Sequence, residues 1–130
     1  MQDYRNLEVW RRGHALTLKV YGVVRLFPRD EMYGLSSQMR NSSSSIPTNL
    51  AEGCGRGSSA ELRRFALIAS GSASELDYQL LLAKDLEYLE MTQYDTLHDE
   101  LRSLRRMLHT FVQTLNKQLD KPNLKPPTLD

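Results

Sequence analysis

Chemistry-bearing residues concentrate in one string, Gly53-Cys54-Gly55-Arg56-Gly57-Ser58-Ser59. Glycines leading into a helix N-terminus expose backbone N–H groups that can cradle a phosphate, and Arg56 would add a cation. No strand precedes the string and the phosphate-loop lysine is missing, so a helix–helix corner is the better reading. Cys54 is the one thiol. Nucleophilic catalysis would need a base beside it, and His14, His98 and His109 are scattered over other segments. A small buried thiol is the expectation. Asp95, His98 and Asp99 share one helical face at spacing that could hold a metal weakly; a solvated, salt-bridged helix start explains them better. The pairs Glu75/Asp77 and Asp85/Glu87 read as surface. No catalytic, cofactor-binding or metal-ligating set emerges, so an enzyme is the weakest class.

Basic residues are less even than the net charge of +1 suggests. Residues 1–30 hold six Lys/Arg against three acids, and residues 58–90 hold three against six. Arg5, Arg12 and Lys19 recur every seven residues, which lines them along one helical face with Arg25 nearby. Arg102, Arg105 and Arg106 form a second cluster. Such stripes can meet nucleic-acid phosphates. They can equally pair with the acidic third segment of a neighbouring copy.

The elements that must position these groups are helical. Leucine fills 22 of 130 positions while valine and isoleucine together fill seven, and β-branched side chains favour sheets. Punctuation marks four helices, at about 6–26, 31–53, 59–89 and 93–119, capped by Asn6, Asp30 or Glu31, Ser58 or Ser59, and Thr92. The clearest periodicity is Tyr94, Leu97, Leu101, Leu104, Leu108, Phe111 and Leu115, alternating steps of three and four. Met32, Leu35, Met39, Ser42, Ile46 and Leu50 give the second helix a narrow seam, with Pro47 inside it. Gly71 with Ser70, Ser72 and Ser74 makes a small-residue waist in the third. Short connections imply an all-α, antiparallel up-down-up-down four-helix bundle over residues 1–120. The tail 121–130, with three of the chain's five prolines, is expected to be disordered. Trp10, Leu18, Tyr21 and Val24 on the first helix, and Leu67, Ile68, Leu81 and Leu82 on the third, make second apolar sides that call for neighbours beyond one bundle. One cysteine excludes an intrachain disulfide and suits a cytoplasmic location. No stretch is apolar enough for a membrane span or a signal peptide.

Several strings in order carry a resemblance: Leu7-Glu8-Val9-Trp10, Tyr21, Phe27-Pro28, Glu31-Met32-Tyr33-Gly34-Leu35, Gln38-Met39-Arg40, Ser45-Ile46-Pro47-Thr48-Asn49-Leu50-Ala51-Glu52-Gly53, Arg56, Gly71-Ser72 and Glu75-Leu76. Together they resemble the 23S rRNA intervening-sequence (four-helix bundle) protein family over roughly residues 5–90. The resemblance implies a ring-like homopentamer and a proline tolerated inside the second helix. It also implies kinship with the accessory proteins of diversity-generating retroelements, which bind nucleic acid and a reverse transcriptase. Asn41 and Ser42–Ser44 stand where members often carry a second basic residue followed by small apolar ones.

Two functional expectations follow. The first is a non-enzymatic, homo-oligomeric bundle binding nucleic acid, structured RNA, with Arg5, Arg12, Lys19, Arg25, Arg40 and Arg56 as contact candidates. The alternative is a scaffold for a protein partner such as a polymerase. The family-motif residues Asn49, Glu52 and Arg56 fall at i, i+3 and i+7, and structural roles compete for them: a Glu52–Arg56 ion pair, and Asn49 satisfying backbone groups freed by Pro47. No cofactor and no membrane partner are expected.

Overall fold

Pro47 sets the first geometric demand on this chain. It lies inside α2 (Leu35–Gly55), where a proline has no N–H to offer the carbonyl four residues earlier. That carbonyl, on Ser43, is taken instead by the buried Thr17 hydroxyl of α1 (Glu8–Val24), at 2.9 Å. The same hydroxyl lies 2.8 Å from the Gly13 carbonyl. Gly13 lets the two helices come this close, because a Cβ there would sit 3.2 Å from Ile46 Cγ2 and 3.7 Å from the Pro47 ring. Asn49, expected to serve the freed backbone, instead donates to the Ser45 carbonyl and hydroxyl at 2.8 and 2.9 Å.

The computed structural model describes residues 2–120. Two more helices, α3 (Ser59–Asp85) and α4 (Met91–Leu119), complete an all-α fold with no strand among the described residues. Contacts run α1 to α2, α2 to α3, α3 to α4 and α4 back to α1. Pairings such as Ser42 with Gln79 and Ser45 with Ser72 show α2 and α3 antiparallel. Arg63 with Asn116 and Arg105 with Asp77 do the same for α3 and α4. The result is an up-down-up-down four-helix bundle. The tail 121–130 lies outside the described residues.

Helix boundaries depart from punctuation at four places, one of them the end of α3, which stops at Asp85 rather than near Leu89. Asn6 does not cap α1; it ends a 3-10 turn at Tyr4–Asn6, and α1 begins after Leu7 without a side-chain cap. The second helix begins at Leu35, because Arg29–Glu31 forms its own 3-10 turn. Glu31 then reaches forward, accepting the Leu35 N–H at 3.1 Å and the Tyr88 hydroxyl at 2.9 Å. Glu90, not Thr92, caps α4 through a reciprocal capping box with Gln93. The corner after α2 does follow expectation: Gly57 takes φ +81°, which glycine adopts without strain, and Ser58 accepts the Glu61 N–H at 3.2 Å.

The core is built from the predicted stripes. Leu97, Leu101, Leu104, Leu108 and Leu115 are buried, as are Leu35, Met39, Ile46 and Leu50, each worth about 1.5–3 kcal/mol of burial. In the last turns of α4 Val112 enters the core while Phe111 is only half-buried, the drift expected when a 3.5-residue pattern rides a 3.6-residue helix. Between α2 and α3 the interior is partly polar: Ser42 donates to Gln79 Oε1 at 2.6 Å, and the Ser45 and Ser72 hydroxyls meet at 2.8 Å. Gly53 closes that seam, since a Cβ there would lie 2.9–3.1 Å from Leu62 and Phe65.

Thr17→Val is expected to cost about 1–3 kcal/mol in urea unfolding, because it leaves the Ser43 carbonyl buried without a donor. In a Pro47→Ala background residue 47 regains its N–H, and the same substitution should cost clearly less. Equal costs in both backgrounds would disprove the Thr17–Ser43–Pro47 account.

Candidate functional site

The basic stripe expected along the first helix is divided by the fold. Arg5 precedes α1 and pairs with Asp3 at 3.2 Å. Arg12 and Lys19 turn toward α4, where Arg12 donates to Ser103 at 3.0 Å and Lys19 pairs with Glu100. Seven-residue spacing puts these two on the flank of the core-facing stripe, so they seal the α1–α4 seam. Arg25 stays exposed near the end of α1, and no ion pair engages it among the described residues.

Arg25 is not isolated. The α1–α2 connection brings it to a groove of about 360 Å³ also lined by Arg29 and Arg40. Arg40 is steadied by donating to the Met32 carbonyl at 3.2 Å. Arg29 was absent from the sequence-level candidates; three arginines flanking one short connection were the available signal. On α4, Arg102 and Arg106 are exposed without ion pairs among the described residues, whereas Arg105 pairs with Asp77 at 2.9 Å.

Residues 5–110 match the family profile described as 23S rRNA-intervening sequence protein. The chain belongs to that family. Its fold is similar to the crystal structure of a protein of unknown function from the S23 ribosomal protein family of Bacteroides thetaiotaomicron, at TM-score 0.75 and 22% identity, covering 81% of this chain and 98% of that one. At that identity the likeness is one of fold. No curated protein sequence matches the chain.

Of the three residues that the resemblance singles out, Glu52 and Arg56 meet at the α2–α3 corner, and Asn49 lies further back along α2. Arg56 lies 3.4 Å from Glu52 and 3.9 Å from Glu61, with its guanidinium 5.2 Å from the Phe65 ring centroid. Arg64 lies over the same ring at 4.4 Å and pairs with Glu61 at 2.8 Å. The hydrogen bond from Arg64 holds the Glu61 carboxyl below its usual range. The stabilisation from this exposed pair is therefore present above about pH 4.5 and fades as acid protonates Glu61. Asn49 works through Ser45, which in turn meets Ser72.

His98 faces Asp77 of α3 at 3.4 Å and stacks on Tyr94. Among the described residues no group of three His, Cys, Asp or Glu side chains could hold a metal ion. Cys54 is buried, and that burial pushes its thiol above the ordinary value. No helix among the described residues is long and apolar enough to cross a membrane. Near neutral pH a disulfide reagent such as DTNB should leave native Cys54 unmodified and label it fully in urea. Fast labelling of the native protein would contradict its burial.

Proposed function

We propose that this protein is a non-catalytic, self-associating helical bundle that binds structured RNA through repeated basic surfaces. The observation that carries the assembly is the outward face of α3. Leu67, Gly71, Ser74, Tyr78 and Leu81 follow steps of four and three, the spacing of a helix-packing seam, yet all five are exposed. Ile68 widens the strip, Tyr78 is 63% exposed, and a Cβ on Gly71 would meet nothing. On α1, Leu18 and Tyr21 remain exposed as expected, while Val24 joins the core and Trp10 packs on Tyr4 and His14. The family supports a ring-like homopentamer as the form of the assembly. Five copies of one weak site act together through avidity, so a charge of +1 per chain is no obstacle to binding a polyanion.

Support for RNA comes from the arginines that make no ion pair among the described residues: Arg25, Arg29 and Arg40 around one connection, and Arg102 and Arg106 on α4. Arg5, Arg12, Lys19 and Arg56 serve intramolecular contacts first. A second reading, a scaffold for a protein partner such as a polymerase, is favoured by a different feature. An apolar groove of about 440 Å³ opens between α1 and α4, with Leu7, Val9, Met107 and Phe111 in its walls.

Light scattering at micromolar concentration should give a mass several times the 14.9 kDa chain, five times for the pentamer. Leu67→Glu with Leu81→Glu should yield monomers of unchanged helicity. A monomeric wild type refutes the assembly. Association with an RNA hairpin should weaken steeply as salt rises. No association at low salt would refute the RNA reading, and a host partner retained after nuclease treatment would favour the scaffold.

A further inference from the structure

The groove at the α1–α2 connection has more than positive charge. Ser36 lies on its wall and is 3% exposed. Its hydroxyl has no hydrogen-bond partner among the described residues, unlike Ser42, Ser43, Ser44 and Ser45 of the same helix. It is not among fully enclosed unpaired atoms either, so it opens to the groove. The break between the Arg29–Glu31 turn and α2 also frees backbone donors. Glu31 takes the Leu35 N–H, Arg40 takes the Met32 carbonyl, and the Ser36 N–H is left without an acceptor among the described residues. Helix N-termini with unpaired N–H groups favour anions.

Three arginines and a serine with an unpaired hydroxyl thus line one concave space, at a helix start whose Ser36 amide has no acceptor among the described residues. Their chemistry matches a phosphate group, which arginine grips in a fork of parallel N–H donors. Two carboxylates neighbour the groove: Glu31 has its two oxygens occupied by Leu35 and Tyr88, and the exposed Asp30 pairs with none of the three arginines among the described residues. Met32, which lines the groove, is about half exposed, and Tyr33, the next residue in the chain, is 92% exposed. An exposed aromatic next to a phosphate cradle is the arrangement by which proteins stack unpaired bases.

We propose that this groove holds the phosphate of an unpaired nucleotide in the RNA, with Arg25, Arg29, Arg40 and Ser36 on the phosphate and Tyr33 under the base. This rests on the RNA reading above and locates its contact. It predicts a preference for a hairpin with an unpaired loop over a blunt duplex of equal length.

Fluorescence anisotropy on the intact protein tests it. Arg25→Gln with Arg29→Gln should weaken loop-RNA binding at least about tenfold and lower the salt slope by about one phosphate or more. Tyr33→Ser should weaken it by about tenfold to a hundredfold with little change in slope. Arg102→Gln with Arg106→Gln removes the same charge elsewhere and should have a smaller effect. Equal losses from the two arginine pairs, or no preference for the loop, overturn the proposal while leaving RNA binding standing. Should the wild type bind no RNA, the function fails and the groove is judged alone with inorganic phosphate. Saturable shifts of the Ser36 and Ser37 amide resonances, abolished by Arg25→Gln with Arg29→Gln, would retain the phosphate site; no shifts would overturn it.

Discussion

The contact between Thr17 and the Ser43 carbonyl is the constraint on which the rest of the bundle depends. Pro47 removes a backbone donor from the middle of α2, and an unpaired buried carbonyl is costly. Here a neighbouring helix supplies the missing proton, and it must come close to do so. Gly13 permits the approach, and Thr17, one turn further on, makes the bond. The register of α1 on α2 is thereby fixed at one point. From that point the remaining turns of α1 decide where Arg25 and the connection to α2 emerge.

A second set of polar contacts fixes α2 on its other side. Ser42 with Gln79, and Ser45 with Ser72, form a ladder between α2 and α3, and Asn49 backs it by donating to the Ser45 hydroxyl. Serine is a modest helix former, so this stretch leans on tertiary contacts, which Ser42 and Ser45 find on α3. Leucines alone would pack α2 against α3 in several registers. Hydrogen bonds of defined geometry admit one. The same small side chains bring α2 near enough to α3 for Gly53 to rest against Leu62 and Phe65.

The sequence was most legible where one helix carries its own pattern. The leucine steps of α4 predict which residues are buried, and the glycine-rich corner reads correctly because turn chemistry is local. Legibility fails where the partner sits on another helix. Asn49 is near Pro47 in sequence, but the freed carbonyl faces α1, and no spacing rule points from Pro47 to Thr17. Arg12 and Lys19 share a face as expected, but whether that face meets solvent depends on where α4 lies. The groove arginines were missed as a set for the same reason: Arg25, Arg29 and Arg40 occupy three elements that only the turn at Arg29–Glu31 brings together. Ser36 carried no sequence signal at all, being one of several serines.

Glu31 has a consequence beyond capping. One of its oxygens binds the start of α2 and the other binds Tyr88 in the α3–α4 connection, where that bond holds the phenol above its ordinary value. A single carboxylate therefore ties together two connections more than fifty residues apart in sequence. Fraying of either one at this end must first release the other, so the two loosen as one cooperative unit rather than independently. An event that tightened the α1–α2 connection would be felt at the head of α4 without any change in the core between them.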